Sequence, residues 1–493
     1  MADHGGDDLK KYEKVHEADY MKWHQENQAY RDSVKMDADR LSYHLMPETG
    51  WLNDPNGLCQ FKGTYHIYYQ YTPFEPTGEL KLWGHYATKD FIRYVNAEPV
   101  LYPDQDCDAH GVYSGSAWVE NDIVHYFYTG NVKYFDRDDY DYIMKGRGSN
   151  TIHCTSRDGY HFSSKEVLLT NADYPPDMSA HIRDPKLIMH EGSYYMALGA
   201  RDGKGRGMVL VYQSQDLTGW SYHGRIAARE PFGYMWECPD LFALDGQLCL
   251  VCCPQGVARE GVDYWNVHQC TIAPIDYDFR PGDFYIDAAA SMRMVDRGFD
   301  FYAPQTFLDE QGRRILIGWM GIPDADYTNP TVEKGWQHAL TIPRVLHMKE
   351  GRLVQAPVKE LEAMRGPAQE YDIEQLSGGI DAGLVFEGCL RLEECGEMQL
   401  KLRGNVALTW KDGLLTLDMG AAGSGRDVRH VKLDSLRNVR IFSDTSSLEL
   451  FINDGEEVFT TRAYGHDGGL KLSGGCGGRL TLYTLSGFIY EEA

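Results

Sequence analysis

No stretch of this 493-residue chain approaches the roughly 18 consecutive apolar residues that a membrane-spanning helix requires. Its opening, MADHGGDDLKKYEKVHEADY, lacks the apolar core of a signal peptide. The expectation is a soluble, cytoplasmic protein with no membrane partner. A basic surplus is missing too: 48 lysines and arginines against 73 aspartates and glutamates give a formal charge of −25. Nucleic acids and anionic membranes both need a basic face, so neither is an expected partner. A small phosphorylated molecule stays open, because it needs only a local basic pocket. Paired-cysteine spacing is also absent. The eleven cysteines are an odd number scattered through a long chain, which predicts free thiols rather than a disulfide framework. Cys249, Cys252 and Cys253 form a C-x-x-C-C pattern, but they lie in the apolar run LCLVCC with no second pair at ligand spacing. They read as buried core thiols. The acidic stretch DRDDYDY, Asp136 to Tyr142, lacks the glycine and terminal glutamate of a calcium loop. No metal and no cofactor are expected.

What is present falls into three textures. Residues 9–38 are charged and free of glycine and proline, with Tyr12, Val15, Tyr20 and Trp23 at roughly helical spacing, which predicts one amphipathic helix in an N-terminal extension of residues 1–40. Residues 41–345 have all-β texture. There a polar turn followed by an apolar strand recurs as KGTYHIYYQ from Lys62, ENDIVHYFYTG from Glu120, HEGSYYMALGA from His190, LDGQLCLVCCPQ from Leu244 and DEQGRRILIGWM from Asp309. A second echo, TKDFIRY, SRDGYHF and SQDLTGW, starts at Thr88, Ser156 and Ser214. Five copies at a period of roughly sixty residues predict a five-bladed β-propeller rather than a sandwich. From 371 to 493 short alternating runs such as MQLKL, LLTLD and LELFI predict a separate C-terminal β-sandwich, with Asn453-Asp454-Gly455 as a hairpin turn. Residues 346–370 read as the linker.

Ahead of the five turns stand NDPNGLCQF, YSGSAWVE, RDPKLIMH, ECPDLFAL and FYAPQTFL, each a polar cluster in the same place of its unit. Alone, Asn53-Asp54-Pro55-Asn56-Gly57 would be a run of turn formers. In phase with four others on the inner strands of a propeller, these clusters converge on the central axis. Asp54, Asp184 and Glu237 should then face one another. Carboxylates paired across a funnel suit glycoside hydrolysis, one attacking the anomeric carbon and one protonating the leaving oxygen, at about 5 to 5.5 Å when configuration is retained. Mutual repulsion raises the pKa of the acid in such a pair. Trp51, Trp83, Tyr113, Trp236 and Trp319 offer ring faces for sugars, although any one of them also serves as core.

With WLNDPNG, YSGSA, RDP, WECPD, FYAPQ and GWM in this order, the chain from about Tyr43 onward resembles the β-fructofuranosidases of glycoside hydrolase family 32, the invertase, sucrose-6-phosphate hydrolase and inulinase group. The resemblance implies a propeller followed by a sandwich, and retaining hydrolysis of a terminal β-fructofuranosyl unit. It implies Asp54 as nucleophile, Glu237 as general acid and then base, and Asp184 as the stabiliser of the transition state, oriented by Arg183. Trp51, Leu52, Asn53, Gln70, Tyr113 and Ser114 match sugar-contacting positions of the family, Asp300 and Trp319 match further pocket-lining ones, and Cys238 belongs to the environment of the acid. The family's rim tryptophan ahead of WGH is lacking. Its place falls near Gly78 in FEPTGELKLWGH, so this aromatic contact is either absent or replaced by Trp83. That segment resembles the intracellular sucrose and sucrose-6-phosphate branch. Exo-acting fructan hydrolysis, fructosyl transfer and a catalytically silent sugar-binding propeller remain the alternatives. A phosphate on the sugar would need a local cation, for which Lys81 is the candidate.

Overall fold

Two consecutive residues in left-handed conformation link the first two strands in four of the five repeats. Lys62–Gly63, Asn121–Asp122, Glu191–Gly192 and Asp245–Gly246 have positive φ at both positions. This is the geometry whose twist matches an antiparallel hairpin, and it explains why a polar pair precedes each apolar strand. The hairpins are Gly50–Phe61 with Thr64–Thr72, Val112–Glu120 with Ile123–Lys133, Met178–His190 with Ser193–Asp202, and Met235–Leu244 with Gln247–Gln255. A longer loop joins the fifth, Tyr302–Leu308 with Arg314–Met320.

The second echo has an equally local cause. Thr88, Ser156 and Ser214 each accept two backbone N–H bonds through their hydroxyl, from Asp90 and Phe91, from Asp158 and Gly159, and from Asp216 and Leu217. The aspartate of each turn then accepts the next two backbone N–H groups. Ser/Thr-x-Asp is therefore a self-capping turn. It leads from the third strand to the fourth in the first three blades.

The computed structural model describes residues 14–135, 140–393 and 395–491. Among these, five sheets form the propeller, antiparallel apart from the short strands Trp336–Gln337 and Ile489–Glu491 on blade one and Phe284–Ile286 on blade three, and two six-stranded sheets form the sandwich. Tyr12 and Asp136–Asp139, part of the acidic stretch weighed above, lie outside the described residues. In place of one N-terminal helix there are two among the described residues, α1 (Glu17–Glu26) and α2 (Gln28–Lys35). The break is at Asn27, whose side chain and backbone N–H both bond the Trp23 carbonyl at 2.9 and 3.0 Å. The linker is also shorter than the sequence suggests. Arg344–Lys349 and Arg352–Pro357 are the two outer strands of blade five, joined by Glu350–Gly351, another left-handed pair. Only the segment around the 3₁₀ turn Lys359–Met364 is left to connect the domains. The sandwich hairpin falls where expected, with Ser447–Ile452 paired to Glu457–Arg462 around Asn453-Asp454-Gly455. No helix among the described residues is long and apolar enough to cross a membrane.

The sandwich docks on the propeller through buried charge. His44 lies between Asp444 and Glu449, at 2.8 and 3.0 Å. Arg344 of blade five bonds Glu449 at 2.6 Å and Asp296 at 3.1 Å, and all of these side chains are fully buried. Arg426 of the sandwich grips both oxygens of Asp300, each at 2.6 Å, with neither side chain accessible. Removing one partner of such a pair strands the other charge in a low-dielectric interior. Arg426→Ala should therefore destabilise the protein by about 3–5 kcal/mol, read as a lowered thermal unfolding midpoint. An unchanged midpoint would show that the junction draws nothing from this pair.

Candidate active site

The innermost strand of every blade is interrupted by a β-bulge. The pairing skips 53–54, 113–114, 184–185, 238–239 and 303–304, each pair standing opposite a single residue of the second strand. A bulge re-aims the side chains it carries. Pro55, Pro185, Pro239 and Pro304 stand at or beside these sites, where the ladder can spare an N–H. Asp184, Cys238 and Ala303 have φ of 62°, 48° and 45°, a conformation that side chains with a Cβ seldom adopt, and strain of this kind gathers at functional sites.

The bulges correct one expectation. By bulge register, Asn53, Tyr113, Asp184, Cys238 and Ala303 are equivalent, and Asp54 and Ser114 stand one place later. Glu237 stands one place earlier, level with Arg183 and Tyr302. Asp54 and Glu237 thus occupy different positions of the repeat.

Around Asp54 the hydrogen bonds close into a ring. The Asn53 amide donates to Asp54 at 3.0 Å and to Gln70 at 2.5 Å, Gln70 donates to Ser114 at 2.7 Å, and the Ser114 hydroxyl donates to the other Asp54 oxygen. Trp51 fixes the orientation of Asn53 through its indole N–H, 2.7 Å from Asn53 Oδ1. Both oxygens of Asp54 are held, on a half-buried side chain that still faces solvent. Burial raises the Asp54 carboxyl above its ordinary range against the bonds from Ser114 and Asn53, and the Glu237 charge adds to the rise.

Glu237 is oriented by four donors or cations. Gln255 and the Tyr302 hydroxyl each reach Oε2 at 2.9 Å, while His181 and Arg183 approach Oε1 at 3.3 and 3.5 Å. Asp184 accepts the Cys238 backbone N–H at 2.8 Å, and its own N–H donates to Thr129 at 2.9 Å. Burial lifts its carboxyl to about 7, with Arg183 opposing and the charges of Glu237 and Asp54 adding. The Cys238 thiol touches both aspartates, 3.5 Å from Asp184 and 3.7 Å from Asp54. A hydrogen bond with the Cys253 thiol, then burial and the charges of Asp184 and Asp54, push the thiol well above its usual pKa, which suits it poorly to act as a nucleophile. Three carboxylates therefore share one chamber, with Arg183 the cation placed among them.

Four candidates sit elsewhere. Leu52 is fully buried in the core. Trp83 is also inaccessible, packed among Tyr68, Tyr126 and Tyr128, and it acts at second hand by bonding the Tyr113 carbonyl at 3.1 Å. It does not replace the missing rim aromatic. Gly78 fills that place instead, and a Cβ there would come within 2.8 Å of both the Trp51 ring and the Lys81 ammonium. Asp300 is consumed by Arg426 at the domain junction. Lys81 is neither on the surface nor free: its ammonium donates to the Gly78 carbonyl at 2.5 Å and lies 4.9 Å from the centre of the Trp51 ring. Burial pulls it down to about 7 against the charges of Glu75, Asp54 and Glu79. Surrounded by carboxylates and only partly charged, Lys81 is a poor phosphate receptor. Trp51 remains at the rim beside Trp319, their rings 5.7 Å apart.

Sequence reasoning missed Tyr302, Gln255, His181 and Thr129. Tyr302 was within reach, since it stands two residues before Pro304 as Glu237 stands two before Pro239. The others act from second strands or from ahead of a motif and carry no spacing signal.

Comparison with known proteins agrees with this geometry. Residues 44–357 match the model of the glycosyl hydrolases family 32 N-terminal domain, and residues 401–479 match the family 32 C-terminal model. The sucrose-6-phosphate hydrolase of Bacillus subtilis is 37% identical over 467 residues, covering 90% of this chain and 92% of that protein. The enzyme of the same name from Staphylococcus xylosus is 36% identical over 97% of this chain and 98% of its own length. Among solved structures, sucrose-6-phosphate hydrolase from Lactobacillus gasseri superposes with a TM-score of 0.85 at 28% identity, covering 94% of this chain and 97% of that one. A β-fructofuranosidase of Bombyx mori superposes at 0.79 with 29% identity over 94% and 98% of the two chains, and a mutant of it was solved in complex with sucrose. Propeller, sandwich, carboxylate trio and these matches lead to one assignment: the chain belongs to glycoside hydrolase family 32 and is a glycoside hydrolase.

Proposed function

We propose that the protein is a retaining β-fructofuranosidase that hydrolyses sucrose and sucrose-6-phosphate. The observation that carries this reading is the division of labour between the two catalytic carboxylates. Asp54 is locked by a closed ring of neutral donors, whereas Glu237 sits among a phenol, an amide, an imidazole and a guanidinium. In the first step an Asp54 oxygen attacks the anomeric carbon of the fructosyl unit. The bond to the leaving sugar breaks, and the proton of Glu237 passes to the departing oxygen. In the second step Glu237, now ionised, takes a proton from water, whose oxygen attacks the same carbon and frees Asp54. Asp184 holds fructose hydroxyls and faces the positive charge that develops on the ring, with Arg183 beside it. The names of the B. subtilis, S. xylosus and L. gasseri relatives support the phosphorylated disaccharide as a substrate.

Asp54→Ala should reduce kcat on sucrose by on the order of 10⁴ to 10⁶, the scale of nucleophile removal in other hydrolases. Glu237→Ala should regain activity on fructosides with activated leaving groups, which need no protonation. If this variant cleaved an activated fructoside no better than sucrose, the assignment of the acid would be wrong.

The like charges also predict a pH effect. The Glu237 charge helps hold protons on Asp54 and Asp184. Glu237→Gln removes that charge, so both aspartates should ionise at lower pH. With an activated fructoside, the acidic limb of the pH profile of kcat/KM should move to lower pH in Glu237→Gln. A limb that stays put or moves upward would contradict the electrostatic coupling.

A further inference from the structure

Lys133 and Arg147 are register partners in blade two, directly opposite each other on the antiparallel strands Ile123–Lys133 and Arg147–Ser156. Like charges in this relation destabilise a sheet. The chain has 73 acidic residues available for pairing, yet neither cation has a carboxylate partner among the described residues. Arg147 is 0% exposed, and none of its three guanidinium nitrogens has a well-formed hydrogen bond. Its neighbour is the ring of Tyr142, 4.2 Å from the guanidinium carbon, and the Lys133 ammonium lies 5.6 Å from the centre of the same ring. A buried cation left without an anion is costly, and a native structure that keeps one calls for a reason.

The cluster leads straight to the acid. The Tyr142 hydroxyl is 3.2 Å from that of Tyr113, Arg183 lies over the Tyr113 ring at 5.4 Å, and Arg183 in turn approaches Glu237 at 3.5 Å. The cations thus line the side of the funnel on which Glu237 protonates the leaving sugar. Lys81 is no part of this cluster: it feels chiefly the charges of Glu75, Asp54 and Glu79, and that of Lys133 more weakly.

We propose that Lys133, Arg183 and Tyr142, backed by the buried charge of Arg147, form the receptor for a phosphate monoester on the leaving sugar. The inference rests on the β-fructofuranosidase reading and adds the site of phosphate recognition to it. Lys133, Arg183 and the Tyr142 hydroxyl supply direct donors to the phosphate oxygens. Arg147, stacked behind Tyr142, supplies charge without needing contact. The site also reconciles a strongly acidic chain with a dianionic substrate, because the local field opposes the global one.

Two measurements test it. Specificity constants are determined for sucrose and sucrose-6-phosphate in the wild-type enzyme, Lys133→Ala, Arg147→Gln and Arg147→Lys. The ratio of sucrose-6-phosphate to sucrose should fall about tenfold or more in Lys133→Ala and Arg147→Gln, the scale of one charge-assisted bond, mainly through KM, and less in Arg147→Lys. An equal fall on both substrates would overturn the receptor. The second measurement needs neither turnover nor a buried-arginine variant. Against the effect of burial, Arg147, Arg183, a hydrogen bond with Tyr113 and Lys133 pull the Tyr142 phenol down to about 8. A bound phosphate screens those cations, so glucose-6-phosphate should reduce tyrosinate absorbance near pH 8 whereas glucose should not, and Tyr142→Phe should abolish the difference. A response equal for both sugars would likewise overturn the site. If the wild-type enzyme cleaved no β-fructofuranoside, the parent reading would fall; normal cleavage with an unmoved ratio would reject the receptor alone.

Discussion

Three carboxylates held in one buried chamber repel each other, and much of the molecule is arranged to keep them there. Bulges on three inner strands bring Asp54, Asp184 and Glu237 together, with Asp184 itself and Cys238 beside Glu237 in left-handed backbone. Such strain persists only where surrounding structure over-determines it. Here the surroundings are five sheets closed into a ring, each bulge lying on the face turned to the axis. Because neighbouring blades supply donors to each (Ser114 for Asp54, the Cys238 backbone N–H for Asp184, Tyr302 for Glu237), no single blade holds its own carboxylate in place.

The donors differ in kind, as the tasks proposed for the three acids require. Neutral donors hold Asp54 without neutralising it, which suits the nucleophile we propose it to be. Glu237, the proposed acid and base, is held by the Gln255 amide and the Tyr302 phenol at one oxygen and approached by His181 and Arg183 at the other. The thiol of Cys238, wedged against both aspartates, fills space where a hydroxyl or a third carboxylate would disturb their balance. The matches to family 32 relatives extend over nearly the whole chain, so this arrangement comes as a unit with its sandwich.

The fold was legible wherever a residue type has a local conformational cause. Paired left-handed turns and Ser/Thr-x-Asp caps recur because the backbone needs them, so their spacing exposed five blades. The carboxylate trio was legible for the same reason, since its motifs ride on those blades. What escaped depends on distance in sequence. Asp300 looks like a pocket residue beside FYAPQ until Arg426, more than a hundred residues later, claims it. Trp83 and Lys81 look exposed in a polar loop and are buried by strands from elsewhere. The opposition of Lys133 and Arg147 follows from a strand register that no pattern of apolar residues specifies. The linker was misplaced because blade five ends in a short hairpin whose alternation is weak.

The last described strand, Ile489–Glu491, runs parallel to Arg93–Leu101 and completes the outer edge of blade one. Just before it, Ser486 and Phe488 bond the carbonyls of Met364 and Ser42. The chain therefore leaves the propeller and returns to it at one place, the linker after blade five being hydrogen-bonded to the segment that leads into the blade-one strand. Two crossings that lie side by side leave a body free to swivel about them. The buried pairs of Arg426 with Asp300 and of Arg344 with Glu449 remove that freedom, so the accessory domain acts as a brace across the seam where the ring of blades begins and ends.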